Sequence, residues 1–161
     1  MQSPCRRRGL LVALIAAGLV LVAGCGSSAV SKQDFIARAD AICQNTIREV
    51  RDVAPSSTGA GISLPALARY LGAVTPIVGA EVRQLRALPR PAADRPLLNR
   101  YLAAVQLASV HYRALAAAAR AGDRTAIEAA TAELAASPSA ALATRYGLTI
   151  CAGPTGTAPS S

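Results

Sequence analysis

Apolar residues recur at alternating spacings of three and four along most of this chain. The most regular series lies between residues 98 and 119, where the alternation persists over three heptads. Such spacing places the apolar side chains on one face of an α-helix and is typical of left-handed helix packing. The series consists of Leu98, Tyr101, Val105, Ala108, Tyr112, Leu115 and Ala119. A chain with this pattern is expected to form helices that each bury one face.

Four segments carry this helical pattern, and capping residues mark where they begin and end. A serine or aspartate suited to a helix N-terminus precedes each segment, and proline or glycine follows each. The capping residues are Ser31, Ser63, Asp94 and Asp123. The segments end near Ala54, Leu88, Ala121 and Tyr146. Their mostly short connections predict an all-α fold, an up-down-up-down four-helix bundle over residues 31–151.

Two prolines lie inside the helical pattern. The periodicity of the second helix continues through Pro76, so we expect a kink there without an end to the helix. Pro138 either interrupts or kinks the fourth helix. The residues assigned to the buried faces include Val53 in the first helix and Ala141 in the fourth. Because many assigned core positions are alanine, the helices are expected to approach closely around a thin core.

A basic stretch and an apolar run precede this domain. Three consecutive arginines are followed by fourteen apolar or small residues from Leu10 to Ala23, without interruption. A membrane-spanning helix needs roughly 20 such residues, whereas a shorter run after positive charges is typical of a signal peptide. The sequence therefore predicts a signal peptide over residues 1–24 that is removed from the mature protein.

The end of the apolar run, Leu21-Val22-Ala23-Gly24-Cys25, resembles the lipobox of bacterial lipoprotein precursors. Val22 stands where leucine is commonest in that pattern. The resemblance implies cleavage before Cys25, a diacylglycerol on its sulfur and usually a further acyl chain on its new N-terminus. Two or more chains give stable anchoring. The alternative, an uncleaved single-pass anchor, is disfavoured by the short apolar run. We expect a lipid anchor on the extracytoplasmic face of the cell membrane, with residues 25–30 as a tether.

The four cysteines reduce to one pair in such a mature chain. Cys5 leaves with the signal peptide, and Cys25 carries the lipid. Cys43 and Cys151 remain in an oxidising compartment, where an even pair is expected to form a disulfide. A redox-active or metal-binding pair is the alternative, but the CxxC spacing and nearby histidines that it would need are missing from the sequence.

Two segments near the ends of the domain are similar to segments of small actinobacterial lipoproteins and secreted proteins. The first runs from Phe35 to Cys43 and reads F-I-A-x-A-D-A-I-C, and the second begins at Tyr146 and reads Y-G-L-x-x-C. The resemblance is to an uncharacterised helical family and spans nearly the whole domain. It implies a helical domain in which Cys43 and Cys151 pair, and it implies no activity.

Reactive groups do not form a recognisable catalytic or metal-binding pattern in the sequence. His111 is the only histidine, and it flanks the apolar face of the third helix. Ala108 stands three residues before it, so the Glu-x-x-His motif of bundle di-iron sites is missing. The carboxylates are scattered, and no base lies near the serines of Ser137-Pro138-Ser139. We therefore expect no catalytic residue, no metal and no cofactor.

The basic residues are mostly arginines. Loss of the three leader arginines lowers the formal net charge from +8 to about +5. A cluster near the end of the second helix could face anionic headgroups or wall polymers, but an ordinary solvated face is favoured because arginine is the default polar residue throughout. The cluster consists of Arg83, Arg86, Arg90, Arg95 and Arg100. No nucleic-acid partner is expected.

Two functional classes remain. The sequence favours a non-enzymatic interaction or scaffold module of the cell envelope, anchored through Cys25, whose partner is an envelope protein or an anionic polymer. The alternative is a carrier that binds a small ligand between helices kinked at Pro76 and Pro138. Residues 152–161 lack an apolar pattern and are expected to form a disordered tail. The oligomeric state is not predicted.

Overall fold

Helices make up most of the chain that the structure describes. The computed structural model describes residues 30–55 and 61–153, and within these ranges it contains five α-helices and no strand. The helices are α1 (Lys32–Asp52), α2 (Leu64–Ala87), α3 (Arg95–Ala121), α4 (Arg124–Ala135) and α5 (Ser139–Tyr146). A short 3-10 turn, Ala92–Asp94, precedes α3. The predicted all-α fold is confirmed.

Several predictions concern residues outside the described ranges. These are the signal peptide, the lipidation of Cys25, and most of the tether and the tail. Val30 and Ala152, at the two edges of the domain, both pack against the core. In residues 30–55 and 61–153, no helix is both long enough and apolar enough to cross a membrane.

Three of the four predicted N-terminal caps are formed as expected. The side chains of Ser31, Ser63 and Asp123 each accept a hydrogen bond from the backbone N–H three residues later. Gly122 ends α3 in the left-handed conformation, with φ of 71°, which a residue without a Cβ adopts at little cost. The tight connection between α3 and α4 therefore follows from local sequence alone.

The prediction for the side chain of Asp94 was wrong. Asp94 occupies the N-cap position of α3, but its side chain makes no capping hydrogen bond. Its carboxylate instead accepts a hydrogen bond of 2.9 Å from the hydroxyl of Tyr146. A capping residue normally has extended backbone angles, whereas the 3-10 turn gives Asp94 helical ones, φ −98° and ψ −3°. The carboxylate is thus free to connect the start of α3 to the end of α5.

The two internal prolines have different effects. α2 continues through Pro76 to Ala87, as the periodicity predicted. Pro138 separates α4 from α5, so the fourth predicted helix is interrupted. This break explains why the assignment of Ala141 to a buried face was wrong: the helical phase of α4 does not continue into α5, and Ala141 is exposed. Val53 is also exposed, because α1 ends one residue before it.

α3 is the helix around which the others pack. It contacts α2, α4 and α5, and α1 contacts α2. The buried residues form two separate clusters along α3. The first cluster contains Phe35, Ala39, Cys43, Leu85, Leu98, Tyr101, Leu102, Ala143, Tyr146 and Leu148. The second cluster contains Leu71, Leu115, Ala116, Ala119 and Ala130. The core is therefore divided between the two ends of the domain.

A disulfide and hydrogen bonds to a carboxylate connect the C-terminal segment to α1. Cys43 and Cys151 form the predicted disulfide, with their Cα atoms 5.3 Å apart. One turn earlier on α1, Asp40 accepts hydrogen bonds from the backbone N–H groups of Thr149, Ile150 and Cys151 at 3.1, 3.0 and 3.2 Å. The Thr149 hydroxyl donates a fourth at 2.9 Å. We call Asp40, the disulfide and residues 149–151 the C-terminal clasp.

Candidate functional site

A cavity of about 560 Å³ lies between α1, α2, α3 and the C-terminal segment. Its volume is within the range of sites that bind small molecules, roughly 300–1,000 Å³. Most of its wall is apolar. The lining residues are Cys43, Thr46, Ile47, Val50, Arg51, Ala54, Tyr70, Val74, Val78, Glu81, Tyr101, Val105, Ala108, Tyr112, Ser139, Ile150, Cys151 and Gly153.

The cavity lies beside the central part of α3, where Val105 and Ala108 have small side chains. Tyr101 belongs to the first cluster and Leu115 to the second. Between them, Val105, Ala108 and Tyr112 line the cavity although the sequence pattern assigned them to the core. The facing helices offer mainly branched side chains at this level. Because close packing needs complementary volumes on both sides, the two clusters are separated by a gap.

Glu81 supplies the single carboxyl group among the described residues that line the cavity. It lies on α2 in the same helical phase as Val74, Val78 and Leu85, at spacings of four, three and four. Its side chain is partly buried, and this burial raises its pKa from 4.5 to about 7. The carboxyl group is therefore held in a mostly apolar setting that disfavours its charged form.

Three tyrosines accompany Glu81 in the wall. Burial is the main cause that raises the pKa of the Tyr101 hydroxyl, and the charges of Glu81 and Asp40 raise it further. Burial also raises the pKa of the Tyr112 hydroxyl, followed by the effects of Tyr70 and Glu81. The hydroxyls of Tyr101 and Tyr112 therefore remain neutral at physiological pH. The cavity thus combines aliphatic walls with one acidic group that lies close to phenol rings.

The residues predicted as sites are distributed as follows. Cys43 and Cys151 form a disulfide in the cavity wall, and Cys25 lies outside the described ranges. His111 is partly exposed on α3 and is not among the lining residues. In the described part of the chain, no group of three histidine, cysteine or acidic side chains is placed to hold a metal ion.

The arginines near the end of α2 lie beside an exposed apolar strip. Arg86 donates a hydrogen bond of 3.1 Å to Gln106, and Arg90 donates one of 2.9 Å to Asn99. The same shallow groove includes Leu107 and Val110 of α3, which are 53% and 42% exposed. This surface lies apart from the cavity, since the two share no lining residue.

Sequence reasoning missed the roles of Glu81 and Asp40. A signal for Glu81 was present, because a glutamate in the phase of a buried helical face is unusual. The only sequence feature that singled out Asp40 was its place in the segment that resembles the uncharacterised helical family. That resemblance stays a prediction. Comparison with family models, curated proteins and solved structures gives no match to this chain.

Proposed function

We propose that the domain is a carrier that binds a small, largely apolar molecule in the cavity between α1, α2 and α3. The observation that carries this proposal is the partly buried Glu81 carboxyl group in a mostly apolar cavity. Unfilled space between the helices and a carboxyl group in a mostly apolar setting each cost stability. Their combination is typical of a binding site, where a ligand fills the space and satisfies the polar group.

The cavity does not support an enzymatic role. Glu81 is the one carboxyl group among the described lining residues, and no histidine accompanies it. The two cysteines of the wall are joined in a disulfide. General acid–base catalysis commonly uses two titratable groups near the reacting bond, and nucleophilic catalysis needs a base beside the nucleophile. We therefore propose a binding function without a reaction.

Filling the cavity is expected to abolish ligand retention. In Ala108→Trp, the indole would occupy the space between the two clusters, whereas Ala129→Trp adds the same group on the exposed surface of α4. We expect organic extracts of the wild type and of Ala129→Trp, purified from the native host, to share a small molecule that Ala108→Trp lacks. Mass spectrometry of the extracts measures this. Identical extracts from all three proteins would contradict the carrier proposal.

We further propose that the carrier is held at the extracytoplasmic face of the cell membrane by a lipid on Cys25. Cys5 provides a matched control because it lies in the predicted signal peptide. We expect cells fed labelled palmitate to incorporate label into the wild type and into Cys5→Ala, and no label into Cys25→Ala. Gel fluorography of the immunoprecipitated proteins measures incorporation. Label on Cys25→Ala would show that the lipobox interpretation is wrong.

A second candidate is the interaction module that the sequence favoured. The observation in its favour is the exposed strip of Leu107 and Val110 beside the guanidinium groups of Arg86 and Arg90. Such a surface fits an anionic partner in the cell envelope that also presents apolar groups. The cavity experiment separates the two candidates, since a module of this kind would give identical extracts from the wild type and Ala108→Trp.

A further inference from the structure

The cavity wall contains a set of groups that favour positive charge. The rings of Tyr70, Tyr101 and Tyr112 line it together with the Glu81 carboxyl group. The face of an aromatic ring carries partial negative charge and attracts cations, most strongly where water is excluded. A carboxylate adds a full negative charge, and its attraction for a cation also grows as the surroundings become less polar. All four side chains belong to α2 and α3, the pair of helices that share the most extensive contact.

Among the described residues that line the cavity, one side chain is basic, and it is exposed. Burial is the sole cause of the raised pKa of Glu81, and a nearby lysine or arginine would lower that pKa. Arg51 of α1 also lines the cavity, but its side chain is exposed, so water screens its charge. The charge of Asp40 on α1 helps to raise the pKa of Tyr101, and the Asp40 oxygens accept hydrogen bonds from residues 149–151. The lining residues of the C-terminal segment are uncharged.

We infer that the ligand is a cation with an apolar body, whose positive charge lies between the Glu81 carboxylate and the rings of Tyr70, Tyr101 and Tyr112. This inference rests on the proposed carrier function and adds the class of ligand. The aliphatic walls formed by α1, α2 and α3 cover the apolar body. In this arrangement the cation pairs with the Glu81 carboxylate.

The inference is tested with two probes of nearly equal shape. Benzyltrimethylammonium carries a fixed positive charge, and neopentylbenzene has carbon in place of its nitrogen. Binding is measured by calorimetry on the full processed chain in phosphatidylcholine nanodiscs, with empty nanodiscs as blanks. We expect the wild type to bind the cation at least about tenfold more tightly than the neutral probe at about pH 8.5.

The pH dependence follows from the charge on Glu81. The charge of the cationic probe does not change with pH, so any change in its affinity reports on the protein. Glu81 is protonated well below about pH 7 and ionised above it. The preference for the cation should therefore rise between about pH 5.5 and about pH 8.5. In Glu81→Gln the preference and its pH dependence should both fall, whereas Glu128→Gln on the exposed surface of α4 should keep them.

A second variant tests the rings separately. Tyr112→Leu keeps an apolar wall and removes one aromatic face, so it should weaken cation binding and retain binding of the neutral probe. Equal binding of both probes to the wild type, or an unchanged preference in Glu81→Gln, would overturn the inference and leave the carrier proposal intact. Failure of the wild type to bind either probe would overturn the carrier proposal, and the inference with it.

Discussion

Replacing Cys43 and Cys151 together with alanine is expected to lower the free energy of unfolding by roughly 4–5 kcal/mol. The disulfide joins residues separated by 108 positions, so it restricts the unfolded chain over nearly the whole domain. The free energy of unfolding of a domain of this size is commonly only about 5–15 kcal/mol. The core is divided into two clusters and rich in alanine, so loss of the disulfide should remove a large part of the stability. Urea unfolding followed by far-UV circular dichroism measures the loss. The slope of the transition should also increase, because the unfolded chain without the cross-link exposes more surface.

Reduction of the wild type provides the matched control for this variant. It removes the cross-link and leaves the side-chain atoms of Cys43 and Cys151 in place, so it should reproduce most of the loss. A much smaller loss on reduction would indicate that packing of the buried Cys43 side chain accounts for the effect of the double variant. Equal stability of the oxidised wild type and the double variant would contradict the prediction, as would two free thiols in the mature protein.

Local signals in the sequence were sufficient to predict the helices. Ser31, Ser63 and Asp123 cap them as expected, and Gly122 ends α3 in the left-handed conformation. These features depend on residues within one or two turns, which a sequence shows directly. The pairing of Cys43 with Cys151 was also predictable, because a predicted lipid anchor left only two cysteines to pair.

The cavity could not be predicted from the same patterns. Helical spacing indicates which face of α3 points inward, but it does not report whether atoms from other helices fill the space. Val105, Ala108 and Tyr112 were correctly assigned to the inner face, yet they line a gap between two clusters. Whether the space between the two clusters is filled depends on the side-chain volumes of three neighbouring helices. The apolar pattern of a single helix does not report these volumes. Comparing the helical phase of Glu81 with that of Leu85 would have indicated that a glutamate lies on the inner face of α2.

Contacts between polar groups that are far apart in sequence were likewise beyond prediction. Asp94 accepts a hydrogen bond from Tyr146, 52 residues away, and Asp40 bonds to groups about 110 residues away. A carboxylate on a helix surface has many partners in principle, and the local pattern predicted only that Asp94 would cap α3. The tertiary fold decides between such options, because it alone brings the C-terminal N–H groups beside α1.

Asp40→Asn is expected to lower the free energy of unfolding by roughly 2–3 kcal/mol. Asp40 accepts four hydrogen bonds from residues 149–151, and two of the four are partly buried. Asparagine has nearly the same shape, but it loses the negative charge and turns an amide N–H₂ group toward backbone N–H donors. At least one donor is then left without an acceptor. Urea unfolding measures the loss, and Glu49→Gln on the exposed surface of α1 should change stability by less than about 0.5 kcal/mol.

Asp40→Asn should also affect the cavity. Ile150, Cys151 and Gly153 form part of the cavity wall, and Asp40 holds the backbone N–H groups of the first two. With the disulfide intact, Asp40→Asn leaves this segment tethered but less ordered, so amide hydrogen exchange over residues 148–153 should become faster than in the wild type. Ligand affinity should fall as well, because part of the binding energy then orders the wall. Unchanged exchange over residues 148–153, together with a fall in global stability, would contradict this prediction. Asp40 would then stabilise the fold without ordering the cavity wall. In that case Asp40→Asn and Glu49→Gln should bind the cationic probe with equal affinity.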